Sequence, residues 1–311
     1  MKILLFGKDG QVGWELQRSL IPLGELHAYG REDCDLADTE KLRKLIRELT
    51  PDIIVNAAAY TAVDKAEGDS STAERINVAV PALLAEEAKM LNAWLVHYST
   101  DYVFDGKKSG AYNESDTTMP LSVYGRTKLE GEKAIAESGC QHLIFRTSWV
   151  FAARGANFIK TMLRLAGERS SLSVVGDQHG APTSAELIAD VTALCLQHCV
   201  ASCGGGRQPE NDTSFSGIYH LTASGSTTWH GYAQYAIGYA IELGLGLACR
   251  PDNVLAIPAT EYPAPAKRPA NSRLDTSKLQ TTFGLTMPAW DYHVRRTLDE
   301  VLATDLLKGT A

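Results

Sequence analysis

Residues 2–13 of the chain read KILLFGKDGQVG and decide its fold class. The apolar run 2–6 predicts a buried strand, and residues 11–20 carry apolar side chains at helical spacing. Between them stand three glycines in the spacing G-x-x-G-x-x-G, namely Gly7, Gly10 and Gly13. A strand, a tight glycine turn and a helix in this order form the first half of a βαβ unit.

A glycine turn in this position is typical of sites that bind a dinucleotide. The turn requires unusual dihedral angles, and a pyrophosphate must approach the backbone amides at the N-terminus of the helix, where partial positive charge favours an anion. A bulky side chain at Gly10 would block that approach. An ordinary glycine-rich turn is the alternative, but the strand-turn-helix setting favours dinucleotide binding.

The first half of the chain continues to alternate strands and helices. The predicted strands are residues 26–29, 51–56, 94–98 and 143–147, and the predicted helices are residues 39–49, 71–91 and 121–138. Strict alternation predicts a doubly wound α/β architecture of the Rossmann type, in which helices cover both faces of a parallel sheet. Ligands of such sheets bind outside the carboxyl ends of the strands.

After residue 149 the alternation loosens. Further elements are predicted as helices at residues 157–167, 184–197 and 229–243 and as a short apolar run at residues 218–221. We expect a dinucleotide-binding domain over residues 1–149 and a smaller, mainly substrate-binding lobe over residues 150–311, some of whose elements return to the first domain. The polar, glycine-rich segment 202–212 predicts a flexible surface loop to which we assign no function.

Composition excludes several classes of function. The net charge of −7 is spread over mixed runs, so the chain offers no basic stripe to a nucleic acid. The N-terminal apolar run is too short for a signal peptide, and no later stretch predicts a membrane span. Six scattered cysteines fit reduced thiols in a cytoplasmic protein. The regular spacing of Cys195, Cys199 and Cys203 lacks the partners of a zinc site.

Tyr124 and Lys128 are candidates for carbonyl chemistry. They stand four residues apart in a predicted helix, so both side chains project from one face. Reduction of a ketone creates an alkoxide that needs a proton, and we expect the nearby ammonium to lower the pKa of the phenol towards neutrality. Ser99 or Thr100, at the end of a predicted strand, could hydrogen-bond the same carbonyl oxygen. A tyrosine packed over a lysine stem is the alternative.

The residues after the second predicted strand bear on cofactor choice. An NAD-specific site usually has an acid here to bind the ribose hydroxyls, but this sequence has Gly30 followed by Arg31. We therefore expect NADPH, with NADH as the alternative. Asp35 and Leu36 follow where an adenine ring could lie, although the acids of this segment could also simply be solvated.

Six stretches, in order, resemble the extended short-chain dehydrogenase/reductase family. They are LLFG at 4–7, VNAAAYTAVD at 55–64, STDYVF at 99–104, RTSWV at 146–150, DQHGAPT at 177–183 and RPANSRL at 268–274. The resemblance covers nearly the whole chain and points to reductases of dTDP-linked 4-keto-6-deoxy sugars. It implies NAD(P)H-dependent reduction of the C4 ketone of dTDP-4-dehydro-6-deoxy-L-mannose, a step that supplies cell-surface polysaccharide synthesis.

The resemblance also implies a role for individual residues. Tyr124 would donate the proton, with Lys128 tuning it and Thr100 completing the triad, while Asp101 and Tyr102 would reach the sugar. The implied cofactor residues are Gly10, Gln11 and Val12 at the pyrophosphate, Asp35 and Leu36 near the adenine, Ala59, Tyr60 and Thr61 after the third strand, and Trp149. Arg268 would meet the nucleotide diphosphate, though an exposed basic turn is an equal alternative.

Family members further imply a homodimer bridged by Mg²⁺, whose ligands would map onto Glu15, Glu186 and Asp291. Isolated surface carboxylates are the alternative, because most are simply solvated. Two rival functions remain open at this point. One is a nucleotide-sugar epimerase or dehydratase on the same fold, and the other is a non-catalytic regulatory subunit that binds a dinucleotide.

Overall fold

A computed structural model describes residues 1–202 and 215–308 of the chain. Its strands are β1 (Lys2–Phe6), β2 (Glu25–Tyr29), β3 (Ile53–Asn56), β4 (Trp94–Thr100), β5 (His142–Thr147), β6 (Val150–Phe151), β7 (Leu172–Val175), β8 (His179–Gly180), β9 (Thr183–Ser184), β10 (Gly217–His220), β11 (Thr227–Thr228) and β12 (Val254–Ile257). Its helices are α1 (Gln11–Leu20), α2 (Thr39–Leu49), α3 (Val63–Ala66), α4 (Ser70–Glu74), α5 (Val80–Leu91), α6 (Val123–Ser138), α7 (Phe158–Glu168), α8 (Ala185–Ser202), α9 (Trp229–Glu242), α10 (Ser277–Phe283) and α11 (Trp290–Lys308).

The central sheet has six parallel strands in the order β2-β1-β3-β4-β5-β10. The predicted doubly wound α/β fold is confirmed. The strand order reverses between β1 and β3, and this switch point opens a crevice at the carboxyl ends of the strands. The sixth strand, β10, comes from the second half of the chain. The division of the chain at residue 149 stays a prediction.

Alternate residues of the strands enter two separate cores, because side chains of a strand point to opposite faces. Ile3 and Leu5 of β1 pack on the face covered by α1 and α8. Leu4 and Phe6 pack on the opposite face, with apolar residues of α2 and α5. Both faces of the sheet are therefore buried, which explains why its strands are nearly continuous apolar runs.

Residues 71–91 do not form the single helix that their sequence predicts. The segment Arg75–Ala79 between α4 and α5 is a π-helical turn. Pro81, at the start of α5, has no N–H to donate, and the Asn77 side chain is bonded outside the helix, to Tyr60 and Thr127. The wider turn thus ties the helix to the loop after β3.

Helix α6 is held close to the sheet edge by glycines. A methyl group at Gly125 would lie 2.2 Å from the carbonyl oxygen of Tyr102, and one at Gly131 would lie 2.2 Å from that of Asn77. The helix begins at the Ser122 cap, whose hydroxyl accepts from the Gly125 N–H at 3.2 Å, and ends before Gly139. This close approach fixes the position of the side chains that α6 directs at β4.

The second half of the chain forms a smaller layer around α7, α9 and α11, with two-stranded pairs β6/β9, β7/β12 and β8/β11. Aromatic rings such as Phe158, Trp229 and Tyr232 dominate its core. Among residues 1–202 and 215–308, no helix is both long enough and apolar enough to cross a bilayer. The predicted loop 202–212 lies, after Ser202, outside the described residues.

Candidate active site

A cavity of about 1090 Å³ lies at the switch point, at the carboxyl ends of β1, β3, β4 and β5. It is large for a small-molecule site, as expected if two ligands share it. The predicted site residues that line it are Gly7, Gly10, Gln11, Val12, Arg31, Asp35, Leu36, Ala59, Tyr60, Thr61, Thr100, Asp101, Tyr102, Tyr124, Lys128 and Trp149. Gly13 and Arg268 are not part of its lining.

The glycine turn forms one end of the cavity from backbone alone. Gly7 has a φ of +86°, and a methyl group there would lie 2.8 Å from the backbone of Ala57. A methyl group at Gly13 would lie 1.9 Å from the Gly7 carbonyl oxygen, so Gly13 keeps the helix close to the turn. Gly10 caps α1 without a side-chain bond, and no acid lies in the first turn. This end fits a pyrophosphate, because the first N–H groups of α1 are open to an anion.

The neighbouring rim carries basic and acidic groups side by side. Arg31 is exposed and lines the cavity, while the Gly30 N–H donates to an Asp33 carboxylate oxygen at 2.8 Å. Asp33 also pairs with Lys8, which lowers the pKa of its carboxyl group. A Cβ at Gly30 would lie 1.9 Å from an Asp9 carboxylate oxygen, so a side chain at residue 30 would require the exposed Asp9 side chain to move.

Tyr124 stands at the other end of the cavity, at the start of α6. Its ring meets the Tyr102 ring edge-to-face at a centroid distance of 5.6 Å. Burial raises the pKa of the Tyr124 phenol to about 12; the nearby Thr100 hydroxyl lowers it and the charge of Asp101 raises it. The prediction that Lys128 lowers the pKa of the phenol is therefore wrong. At neutral pH the phenol stays protonated, which is the form that donates a proton.

Lys128 makes its hydrogen bonds with strand β4. Its Nζ donates to the carbonyl oxygen of Tyr98 at 2.6 Å and lies 3.0 Å from Nε2 of His97, while Nδ1 of His97 lies 3.2 Å from the Asn56 amide nitrogen. All three side chains are at most 2% exposed. Burial lowers the pKa of Lys128 to about 8, although Glu132 raises it. Burial also holds the pKa of His97 well below its ordinary value.

Asn56 and His97 are not among the site residues predicted from the sequence. Both lie at the carboxyl-terminal half of buried parallel strands, and they are direct partners in the register of β3 and β4. Polar side chains inside otherwise apolar strands cost free energy to bury unless they are hydrogen-bonded. Two polar residues within apolar strands were therefore a sign of function in the sequence, but this pattern could not reveal their contact with Lys128.

Asp101 is the most unusual acid of the cavity. It is 2% exposed, one oxygen accepts from the Thr100 hydroxyl at 3.2 Å, and the other oxygen has no partner. Burial raises the pKa of its carboxyl group to about 7, although the nearby Ser272 and Thr100 side chains lower it. An unpaired acceptor this well buried is suited to a ligand hydroxyl.

Trp149 forms an aromatic wall between the cavity and the second lobe. It adopts a φ of +50°, which is rare for a bulky residue, and its ring stacks on Trp229 at a centroid distance of 3.7 Å. A methyl group at Gly180 would lie 2.6 Å from the Trp149 ring. Contacts with Trp229 and Gly180 therefore hold the ring in place and compensate the strained backbone.

Arg268 lies near the cavity but is already engaged. Its guanidinium donates to Asp64 at 2.7 Å and to the carbonyl oxygen of Ala266 at 3.2 Å. The charge of Arg268 also acts on Tyr102, so the two side chains are close. A nucleotide diphosphate would have to compete with Asp64 for it.

The three candidate magnesium ligands do not converge within one chain. Glu186 binds Arg296 at 2.7 Å, whereas Asp291 accepts from the Tyr235 hydroxyl at 3.4 Å. Burial raises the pKa of Glu15, and the charge of Glu186 raises it further, so those two carboxylates repel each other. Among the described residues, no three His, Cys, Asp or Glu side chains are grouped to hold a metal ion. The set does not fit Mg²⁺ within the single chain.

The glycine turn at the switch point and the paired Tyr124 and Lys128 define an oxidoreductase of the extended short-chain dehydrogenase/reductase type. A family model described as "RmlD substrate binding domain" matches residues 1–303. The dTDP-4-dehydrorhamnose reductases of Salmonella typhimurium and Escherichia coli K12 are 50% and 51% identical over 308 residues, covering 98% of this chain and 99% of each relative. The chain belongs to the dTDP-4-dehydrorhamnose reductase family, which confirms the resemblance and the enzyme class.

Solved structures agree with this assignment. A dTDP-4-dehydrorhamnose reductase of Clostridium acetobutylicum has a TM-score of 0.86 at 32% identity, covering 97% of this chain and all of its own. The reductase of Bacillus anthracis, solved in complex with NADP, has a TM-score of 0.83 at 31% identity, covering 96% of this chain and 99% of its own. A nicotinamide cofactor is therefore supported. A UDP-glucose 4-epimerase of Thermus thermophilus, at 18% identity, shares only the fold.

Proposed function

We propose that the chain reduces the C4 ketone of dTDP-4-dehydro-6-deoxy-L-mannose to dTDP-L-rhamnose, with NADPH as the preferred reductant. The observation that carries the proposal is a buried phenol, Tyr124, in the same cavity as the open N-terminus of helix α1 at the glycine turn. Relatives of about 50% identity over nearly the full chain carry the name of this activity, which supports the substrate.

A nicotinamide dinucleotide held at the glycine turn would supply a hydride to the ketone carbon. The alkoxide charge that develops on the ketone oxygen takes the proton of Tyr124, whose raised pKa keeps that proton in place until the charge appears. Thr100, which lies near enough to Tyr124 to lower the pKa of its phenol, stabilises the charge that remains on it. Lys128 lies one helical turn further and supplies a positive field when protonated.

The substrate contacts follow from the same end of the cavity. We assign the free oxygen of Asp101 to a sugar hydroxyl, the Tyr102 ring to a side wall of the sugar pocket and Arg268 to the diphosphate. Since Arg268 forms an ion pair with Asp64, binding of the diphosphate would replace one anionic partner by another. Trp149 closes the pocket on the side of the second lobe.

We assign the glycine-turn end of the cavity to the cofactor. The open amides of Gln11 and Val12 would bind the pyrophosphate, Asp35 and Leu36 would contact the adenine, and residues 59–61 would lie along the dinucleotide. Arg31, next to a residue 30 that cannot be an acid without displacing Asp9, favours a 2′-phosphate. Comparison of kcat/KM for NADPH and NADH tests the preference. Arg31→Ala should lower kcat/KM for NADPH and leave that for NADH nearly unchanged; equal losses with both would remove Arg31 from the preference.

We also propose a homodimer in the cytoplasm. Exposed apolar side chains on α1 and α8, Trp14 and Leu194, support a subunit interface there. Light scattering of the purified chain tests the dimer, and a monomer at micromolar concentration would contradict it. Because the carboxylates of one chain do not converge, no step of the reaction is assigned to Mg²⁺.

The decisive experiment for the function is an NADPH oxidation assay with the dTDP-linked 4-ketosugar. We expect stoichiometric oxidation, with dTDP-rhamnose as product. Purified protein that carries tightly bound oxidised cofactor and converts the sugar without net NADPH consumption would instead identify an epimerase or dehydratase. Cofactor binding without any turnover would identify a regulatory subunit.

A further inference from the structure

The hydrogen bonds around Lys128 constrain which atoms carry protons. Two nitrogens that face each other at 3.0 Å, Lys128 Nζ and His97 Nε2, need one proton between them. An ammonium group would donate it to an unprotonated Nε2. A neutral amine would accept it from a protonated Nε2.

Asn56 decides between these two arrangements. Its Oδ1 accepts from the Ala58 N–H at 3.2 Å, which turns its amide nitrogen towards His97 Nδ1, also at 3.2 Å. The amide nitrogen is only a donor, so Nδ1 must be the acceptor. A neutral imidazole then carries its single proton on Nε2. This proton points at Lys128 Nζ, which can accept it only as a neutral amine.

The opposite arrangement leaves two donors facing each other. If Lys128 is an ammonium that donates to Nε2, the proton of His97 moves to Nδ1 and meets the Asn56 amide group. Turning that amide to offer its oxygen would place its nitrogen against the Ala58 N–H instead. A buried pair of facing donors is destabilising. The network therefore opposes the charged form of Lys128.

The other charged groups around Lys128 do not offset this preference. Glu132, one turn further along α6, raises the pKa of Lys128, but both of its oxygens are bound by Arg146 of β5 in a buried ion pair. On its own helix Lys128 follows Tyr124, whose phenol is neutral. From β4 it faces His97 and the carbonyl oxygen of Tyr98.

We propose that His97 is a positioning residue of the reductase site: held by Asn56 with its proton on Nε2, it keeps Lys128 as a neutral amine until a bound ligand offers Nζ a new acceptor. Protonation of Lys128 then accompanies binding, and the required proton comes from solvent. The inference rests on the proposed role of Lys128. Beyond that role, Asn56 and His97 gain a function although neither needs to touch the reacting atoms.

The tautomer of His97 in the ligand-free protein is the direct test. ¹⁵N spectra of histidine-labelled protein distinguish a protonated from an unprotonated ring nitrogen, and His97→Gln identifies the resonance among the eight histidines. At a pH above the pKa of Lys128, which is about 8, we expect His97 to have a protonated Nε2 and an unprotonated Nδ1. A proton on Nδ1 at that pH would overturn the proposal. This readout needs no activity, so it stands apart from the test of the proposed function.

Proton uptake on cofactor binding is the second readout. Calorimetric titration of NADPH in buffers of different ionisation enthalpy measures it, and above pH 8 we expect the wild-type chain to take up protons. Asn56→Asp offers an acceptor to Nδ1, which moves the proton of His97 off Nε2 and lets Nε2 accept from a charged Lys128. The variant should therefore bind NADPH with little proton uptake. Unchanged uptake in a folded Asn56→Asp protein would contradict the mechanism.

His220→Gln is the matched control for loss of a buried histidine. His220 lies on β10, is fully buried and bonds the carbonyl oxygen of Tyr112 through Nδ1 at 3.0 Å. Its replacement should reduce stability but leave proton uptake and the alkaline limb of the pH profile of kcat/KM unchanged. His97→Gln should shift that limb to higher pH, because the glutamine carbonyl oxygen accepts from an ammonium. Equal profiles for the two variants would show that His97 is merely structural.

Discussion

The two ends of the cavity offer a ligand different physical means of recognition. At the glycine turn the wall is backbone and small side chains, and the open N–H groups of α1 offer an anion fixed dipoles that do not titrate. At the junction of β4 and α6 the wall is made of Asp101, Tyr124 and Lys128, whose pKa values are all shifted by burial. Substitutions at the first end should therefore act through cofactor binding, and those at the second through turnover and its pH dependence.

Tyr124→Phe should have the largest effect at the titratable end. Loss of the proton donor is expected to lower kcat by about 10²- to 10⁴-fold, while NADPH affinity stays nearly unchanged. Steady-state kinetics and a fluorescence titration with NADPH measure the two quantities. Tyr232→Phe is the control, because that buried hydroxyl has no partner and lies in the second lobe. Near-wild-type turnover of Tyr124→Phe would remove Tyr124 from the mechanism.

Asp101→Asn should separate function from stability. The amide loses the anionic acceptor for the sugar, so kcat/KM for the nucleotide sugar should fall by about 10- to 100-fold. The folded-state pKa of about 7 lies above the ordinary value of 3.8, so the folded chain binds more protons between these pH values. Stability of the wild-type chain is therefore lost as pH rises through this window, and Asp101→Asn should be the more stable protein above pH 7.

Thermal unfolding of both proteins at several pH values between 4 and 8 checks the second half of that prediction. The wild-type Tm should fall more steeply with rising pH than the Tm of the variant. Parallel Tm curves would mean that the carboxyl group of Asp101 is not perturbed by folding.

Gly13→Ala should be the more damaging of two matched substitutions at the glycine end. Its methyl group would lie 1.9 Å from the Gly7 carbonyl oxygen, whereas one at Gly10 meets the same oxygen at 3.4 Å. We expect Gly13→Ala to cost about 1–3 kcal/mol of stability and to raise the KM for NADPH. Gly10→Ala should keep wild-type stability and weaken only cofactor binding. A Gly13→Ala protein with wild-type KM and Tm would contradict the geometry of the turn.

Metal removal should have the smallest effect. The cavity side chains include no grouped metal ligands among the described residues, so treatment with EDTA should leave kcat unchanged. Loss of activity that Mg²⁺ restores would place a metal in catalysis or in the assembly of the active form. Light scattering of the treated protein would separate these two outcomes.

The same comparison explains how far the sequence could predict the structure. The strand Lys2–Phe6, the helix Gln11–Leu20 and the glycines between them follow from local periodicity and dihedral preference, and the structure matches them. The cavity brings together nearly all of the catalytic, cofactor and substrate residues named from the sequence, because the carboxyl ends of parallel strands share one edge, but none of the three candidate magnesium ligands. Their roles stay predictions.

Protonation states could not be predicted in this way. The sequence placed Tyr124 and Lys128 one turn apart, but whether the ammonium meets the phenol depends on the side chains of two neighbouring strands. His97 and the carbonyl oxygen of Tyr98 take the Lys128 hydrogen bonds, and burial then raises the pKa of Tyr124. The π-helical turn Arg75–Ala79 was missed for a related reason, since Asn77 makes its contacts with distant segments.

The central claim is that one cavity holds the reductant and the ketosugar so that hydride and proton reach the same carbonyl group. Reaction of the purified chain with NADPH deuterated at the transferable position, followed by NMR of the product, tests it most directly. The account predicts one deuterium at C4 of dTDP-rhamnose for each NADPH consumed. Product without deuterium at C4, or conversion of the sugar without consumption of NADPH, would contradict it.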